Sequence, residues 1–522
     1  MHYVLFYFFS SVFNCLSLIF IVLLFLLIRV YFWTVDSYKF FKNLGLPYEE
    51  PKFLIGNLRN YPLISKNKHQ FYFVEEIYKK HADKTYVGFF KFRKPMLMIR
   101  DPIICQQVFT TYFEHFCNRP GPPVDPKKDP LSNHLINMQG KQWKSVRTKL
   151  SPAFTPSKLK DMFQDMHECC LELINLIDSK ISIDNEIEVI HLMAQFSLRA
   201  SGKCILGLDS DVLNNPVSQF NTICKTLFTP TTTAKAKQIF QFLFPQYYSK
   251  YLEIKNISYE TFTFLHSIMR EAFESRGITT NKKRNDFLKL VADIHSTELS
   301  FDTNDPTSEA NKDYITESII MSNTFLFLTT GYESTATTTA SVLYELALNE
   351  DVQEKVRQEV RDHIGQWSYS SIASLKYLDQ VICESQRLHP VNTSLSRQCT
   401  SDQFKLPGTD VYIPRGTHVC IPTFAMYKDP KFFSNPDRFN PENFSKENTK
   451  QLKILCPFGE GPRQCIAKSY SLIEVKLAIA HLILKFKFKR CSKTDVPLQY
   501  IPEKLFITPA NGIWIGFEKI LS

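Results

Sequence analysis

Hydrophobic residues are distributed very unevenly along the 522-residue chain. Between positions 3 and 28 no charged residue occurs, and Leu, Ile, Val and Phe dominate. Such a run is long enough to span a bilayer as a helix, which takes about 20 apolar residues. Beyond it, apolar positions recur at helical spacing. The stretch 314–349 predicts one helix that crosses a whole domain, because ordinary globular helices run about 8 to 20 residues. In SLKYLDQVICESQRLH, the residues Leu375, Leu378, Val381 and Ile382 form an apolar stripe, and the helix should stop before Pro390. A third helix is expected in KSYSLIEVKLAIAHLILKF. Strand-like runs are shorter, at 96–99, 411–413 and 505–507, and Lys485, Lys487 and Lys489 alternate with Phe486 and Phe488 as in a half-buried edge strand. The polar segment 295–313, which contains Asp-Pro, reads as a surface connection. The fold class expected from this pattern is mostly α with a minor β region.

The composition, 44% hydrophobic and 22% charged, is that of a folded chain with ample core material. No linker composition divides residues beyond the N-terminal run, and no repeat period is visible. The flanks of that run change its reading. It lacks a basic leader and a small-residue cleavage site, and Arg29, Lys39 and Lys42 follow it, with Tyr31 and Trp33 at its end. An uncleaved anchor with the bulk of the chain on the cytosolic side is therefore expected. The segmentation is an anchor at 1–34, a tether at 35–55 and a catalytic domain at 56–522. Thirteen cysteines with no C-x-x-C pair exclude a disulfide framework and fit reduced thiols. The net charge of +10 suits an anionic membrane surface or an acidic protein; no clustered basic motif points to nucleic acid.

The candidate chemistry concentrates at PFGEGPRQCIA, residues 457–467. Gly459 and Gly461 permit backbone conformations closed to other residues, Pro462 stiffens the loop, and Arg463 sits two residues before Cys465, just ahead of a helix. A helix start and neighbouring cations stabilise a thiolate. No signature of a nucleophilic cysteine surrounds Cys465, and only Cys456 stands close enough to help build a zinc site. A lone thiolate on the metal of a cofactor, or a buried inert cysteine, are the readings left.

The spacing of Phe458, Gly459, Gly461, Arg463 and Cys465 resembles the F-G-x-G-x-R-x-C loop of the cytochrome P450 superfamily, with Ala467 where glycine is common. Other landmarks occur in the family's order. Trp143 and Arg147 are similar to its W-x-x-x-R, Glu384 and Arg387 to its E-x-x-R, and Gly331, Glu333, Ser334 and Thr335 to its oxygen-side helix motif. Two residues there depart from the pattern: Thr330 replaces Ala or Gly, and Ser334 replaces Thr. The region PDRFNPENF fits the motif that closes the ion pair on 436–439, which supplies Arg438, and also on Pro441–Phe444, which puts Asn443 at the Arg position.

The resemblance implies a cytochrome P450 fold behind an N-terminal transmembrane helix, of the microsomal animal detoxification type. It implies that Cys465 binds the iron of haem b, that Arg147, Arg397 and Arg463 meet its propionates with Trp143, and that Glu333, Ser334 and Thr335 serve proton delivery on a helix loosened at Gly331. Glu384, Arg387 and Arg438 take the structural role. The implied reaction inserts one oxygen atom of O2 into a lipophilic small molecule, with NADPH electrons from NADPH-cytochrome P450 reductase and cytochrome b5 as a further donor. Lys144, Lys149 and Lys468 are the expected docking cations, and the endoplasmic reticulum membrane the expected location. The substrate pocket is expected near Cys117, Phe228, 391–396 and 508–511. A haem-thiolate isomerase or dehydratase, and a non-catalytic haem protein, are the alternatives.

Overall fold

The computed structural model describes residues 2–58, 70–121, 129–207, 259–278, 315–363, 365–502 and 507–520, with isolated positions between 212 and 293. The loop expected at 295–313 and Phe228 lie outside the described residues, as does most of the strand expected at 505–507. The first helix runs His2–Tyr38, and its 23 residues Leu16–Tyr38 are long and apolar enough to cross a membrane, with almost all of their side chains exposed.

Residues 35–55, expected as a tether, pack on the body of the protein. Aromatic side chains hold them there: Phe41 is fully buried, and Tyr38 and Phe41 both meet Phe90 edge to face. The Tyr38 hydroxyl donates to the Lys52 carbonyl and accepts from the Gly56 amide. The end of this first helix is clamped as well. Arg93 lies 3.0 Å over the Trp33 ring, and donates to the Trp33 carbonyl and to Ser37 Oγ.

Among the described residues the strands form three small sheets. In the first, β1 (Tyr86–Lys91) and β2 (Lys94–Ile99) form a hairpin, β2 pairs in parallel with β7 (His418–Ile421), and β7 pairs antiparallel with β4 (Leu395–Gln398). The second has the order β3 (Glu186–Glu188), β9 (Trp514–Lys519), β8 (Phe486–Lys489), and the third joins β5 (Gln403–Lys405) to β6 (Tyr412–Pro414). Strand β8 lies at a sheet edge with Phe486 and Phe488 buried and its lysines outward, as the alternation predicts.

The long helix spans Glu317–Leu348, close to the predicted limits, and Thr316 caps it by accepting from the Ile319 amide. Most of its residues are buried on every side, which is the pattern of a helix running through a core rather than along a surface. Its main partner is the helix Val189–Ser201. Apolar side chains divide into two large cores. One surrounds the long helix and the helix Lys468–Lys485; the other lies between the first sheet and residues 425–454. Leu455 and Cys456 pack on the sheet-side core, whereas Ile466 and Ala467 pack on the helical one. The cysteine loop therefore crosses from one core to the other.

Glu384 and Arg387, on the helix Lys376–Leu388, are fully buried. Arg387 Nε and one Nη donate to the two carboxylate oxygens at 2.7 and 2.8 Å. The remaining donors reach the carbonyls of Tyr427, Pro436 and Arg438, so all five N–H groups are used. Glu384 also accepts from the Asn440 amide and from Asn443 Nδ2 at 3.1 Å. This corrects the side-chain role expected of Arg438. Its side chain is exposed and it contributes only a carbonyl, whereas Asn443 fills the third side-chain position.

Because a buried charge left without its partner is severely penalised, Arg387→Ala should cost about 3–5 kcal/mol. Asn443→Ala should cost about 1.5–3 kcal/mol, the worth of one hydrogen bond to a charged group, and Arg438→Ala should stay within about 0.5 kcal/mol. Thermal unfolding of the detergent-solubilised chain checks the ranking; equal losses at 438 and 443 would contradict the geometry.

Candidate active site

The cysteine loop is folded by its own backbone. The Gly459 amide donates to the Cys456 carbonyl, Gln464 to Gly461, and Cys465 to Phe458 at 2.8 Å. Gly459 and Gly461 both have φ of +69°, the left-handed region that favours glycine. At Gly461 a Cβ would lie 1.8 Å from the Phe109 carbonyl oxygen, so that glycine serves the packing of the loop on the helix Pro102–Phe109. Ala467 is the N-cap residue of the helix Lys468–Lys485, and its amide stands near the Cys465 sulfur. Burial pushes the Cys465 thiol up, while that amide and the charges of Arg119, Arg147 and Lys468 pull it down. Lys468 Nζ stands over the Phe458 ring.

Four arginines converge around the loop from separate parts of the chain. Arg463 is buried with its guanidinium 4.4 Å over the Trp143 ring, and one Nη donates to the Met138 carbonyl at 2.6 Å. Trp143 thus acts by holding Arg463. Arg147, on the helix Gly140–Leu150, donates to the Gln464 carbonyl, and Arg119 donates to that of Arg463. Arg397, on β4, lies over Phe109 and donates to the Ser396 carbonyl. Sequence reasoning missed Arg119, which stands in a loop without a motif and is defined only by this contact across the fold.

The cluster is built with unmet positive charge. Arg397 Nε and both Nε and Nη1 of Arg463 are buried without a hydrogen-bond partner. Burial, followed by the repulsion of Arg119 and of each other or Arg147, pulls Arg397 and Arg463 down to about 9. Buried donors are nearly always paired, so these point to an anionic group that this site is made to receive. Among the described residues no three His, Cys, Asp or Glu side chains converge on a metal position. An anionic cofactor fits these donors.

The segment Gly331, Glu333, Ser334 and Thr335 lies at mid-length on the long helix, which runs through it uninterrupted. The loosening expected there is replaced by hydrogen bonds to hydroxyls. Ser334 Oγ donates to the Thr330 carbonyl at 2.7 Å, Thr330 to Leu326, and Thr337 to Glu333. Glu333 and Ser334 are half-buried. Thr335 is buried and shares a 3.0 Å hydrogen bond with Ser471 of the helix Lys468–Lys485, so it ties two helices together. Residues 391–396 run directly into Arg397, whereas Pro509 of 508–511 bridges to Tyr500. Lys144 and Lys468 are exposed and Lys149 half-buried.

Comparison with known proteins agrees with this architecture. The family model for cytochrome P450 matches residues 46–516. The chain is 31% identical over 498 residues to cytochrome P450 6A1 of Musca domestica, covering 93% of this chain and 94% of that protein. It is 29% identical to cytochrome P450 6a2 of Drosophila melanogaster, with 93% and 96% covered, and 29% identical to cytochrome P450 6j1 of Blattella germanica, with 94% and 96% covered. A thiol loop between two cores, arginines lacking anions and a hydroxyl-lined through-helix thus coincide with a match over nearly the whole length, and the chain belongs to the cytochrome P450 superfamily, as a monooxygenase of the animal detoxification type.

Proposed function

We propose that this chain is a membrane-anchored monooxygenase in which Cys465 is the protein ligand to the iron of haem b, and which oxidises a lipophilic foreign or lipid-like compound. The observation that carries the reading is the set of buried arginine donors without a partner, on Arg463 of the cysteine loop and on Arg397, which feels the Arg463 charge. Arg397 and Arg463, with Arg147 and Arg119 behind them, would hold the two propionates, and the Ala467 amide and surrounding cations would favour the thiolate form of Cys465. Haem held there supplies reductive activation of O2, one oxygen atom going to the substrate and the other to water. Electrons would come from NADPH through the flavoprotein reductase or cytochrome b5, with exposed Lys144 and Lys468 offering cations to an acidic partner.

The residues of the long helix divide the remaining work. Ser334 Oγ donates to the Thr330 carbonyl and keeps its lone pairs open to accept a proton donor. It can therefore pass a proton on by turning its own hydrogen away from that carbonyl, with the neighbouring half-buried Glu333 carboxyl as the source. Thr335, bonded to Ser471 of the helix Lys468–Lys485, is assigned the role of a helix tie rather than of a relay member. The exposed apolar helix ending in the Arg93 clamp supports attachment to a membrane, for which the endoplasmic reticulum with a cytosolic catalytic body is the proposed location.

The reduced, carbon monoxide-bound protein should show the red-shifted Soret band of thiolate ligation, and Cys465→Ala should abolish it while the chain stays folded. Arg463→Leu should speed haem transfer to an acceptor apoprotein by roughly tenfold or more, the worth of one or two charge-assisted hydrogen bonds; an unchanged rate would remove Arg463 from the cofactor site. Ser334→Ala should lower product per NADPH consumed by roughly tenfold or more, with released hydrogen peroxide rising. Thr335→Ala should instead lower the unfolding temperature and leave that ratio nearly unchanged.

A further inference from the structure

Behind the long helix lies a buried polar group that the proposed relay does not use. Glu474, nine residues after Cys465 on the helix Lys468–Lys485, is fully buried. Its Oε1 is 2.6 Å from Ser197 Oγ, on the helix Val189–Ser201, and Ser197 Oγ is 3.1 Å from the Gly331 carbonyl. Its second oxygen, Oε2, is buried without a partner. The helices meet closely here: a Cβ on Gly331 would lie 3.2 Å from Ser201 Oγ.

Proton counting fixes the direction of these bonds. Ser197 has one hydrogen and two acceptors within reach. If Glu474 is ionised, the hydrogen goes to the carboxylate and the Gly331 carbonyl loses it. If Glu474 keeps its proton, it donates to Ser197, and Ser197 donates to Gly331, so each of the two hydrogens has an acceptor. A carboxylate here would have only hydroxyls, Ser197 and Tyr470, to hold its charge, and burial penalises it heavily.

We infer that Ser197 is a positioning residue whose hydroxyl, directed by an un-ionised Glu474, pins the Gly331 carbonyl and with it the helix segment carrying Glu333 and Ser334. The Ser471 to Thr335 bond is the second pin from the same helix. Importance for turnover rests on the reading of Glu333 and Ser334 as the proton relay; the pin itself does not.

The surroundings favour the acid form. Burial raises Glu474 to about 8 against partial lowering by Ser197 and Tyr470. The other titratable groups facing it are the Cys204 thiol from the turn after Ser201 and the Cys169 and Cys170 thiols of the helix Pro156–Ile181, all pushed up by burial. Arg199 and Lys203 act on Cys169, but Arg199 pairs with Glu172 and Lys203 with Glu168 and Asp165. The sign follows. With the folded value above the ordinary carboxyl value, the pin holds at neutral pH and is released as pH rises through about 8.

The test is hydrogen–deuterium exchange of the haem-loaded, full-length protein in lipid nanodiscs, reading the peptide that covers 330–339 and normalising to intrinsic rates. Wild type should exchange about three- to tenfold faster above the transition than below it, the worth of one net hydrogen bond. Glu474→Gln should remove that step, and Ser197→Ala should exchange at the faster rate at every pH, with Ser197→Thr restoring protection. Infrared difference spectra of wild type against Glu474→Gln at pH 7 should show a carboxylic acid band that is lost in the variant. A step retained in Glu474→Gln, Ser197→Ala matching wild type at low pH, or no acid band would each overturn the inference. Because exchange is read without turnover, an intact pin with unaffected coupling in Ser334→Ala would count against the relay alone.

Discussion

The buried ion pair between Glu384 and Arg387 is the constraint from which the site is hung. Two charges taken wholly out of water are costly, and that cost is offset only when every donor and lone pair finds a partner. Here the guanidinium reaches the carboxylate and three carbonyls from residues 427 to 438, while the carboxylate receives Asn440 and Asn443. A segment with little regular structure is thereby fixed to a helix. The connection continues through Tyr427: its carbonyl accepts from Arg387, and its hydroxyl accepts from the Cys456 amide, where the cysteine loop begins. Displacing the pair would move the origin of that loop, so an interaction without a chemical role sets the position of the sulfur.

The arginines around the loop follow the opposite design. The ion pair is complete in itself, whereas Arg397 and Arg463 are buried with donors unmet and with each other's charge nearby. A polypeptide gains nothing from that arrangement unless an anion belongs to it. Stacking on Trp143 and Phe109 lets the two guanidiniums keep their geometry without spending their donors. Stability is given up locally where an anion would meet preformed donors.

What could be read from the sequence was whatever is local in the chain. The long helix shows in apolar positions on every side, the loop in its glycines and arginine around Cys465, and the pair in the i, i+3 spacing of 384 and 387. What escaped depends on contacts far apart in sequence. Arg119 has no motif, and its partner is 344 residues away. Asn443 and Arg438 are five residues apart in a region where either fits, and only the fold shows which side chain turns inward. Residues 35–55 looked like a tether because their polar and aromatic residues follow no period, yet those aromatics pack against Phe90. Gly461 is legible as a position of backbone freedom, but its close packing on the Phe109 carbonyl is not.

Departures from the family pattern at 330 and 334 take on a physical meaning in this setting. Thr330 and Ser334 each return their hydrogen to the carbonyl one turn earlier. Those two bonds stay within the helix and do not fix it to its neighbours. Lateral contacts near the relay segment trace to the helix that follows Cys465: Ser471 on Thr335 directly, and Glu474 on Gly331 through Ser197. The same rigid element therefore carries the sulfur at its start and the supports of the opposing helix one and two turns later. Thr335 and Gly331, on either side of Ser334, are thus supported from the element that follows the Cys465 loop.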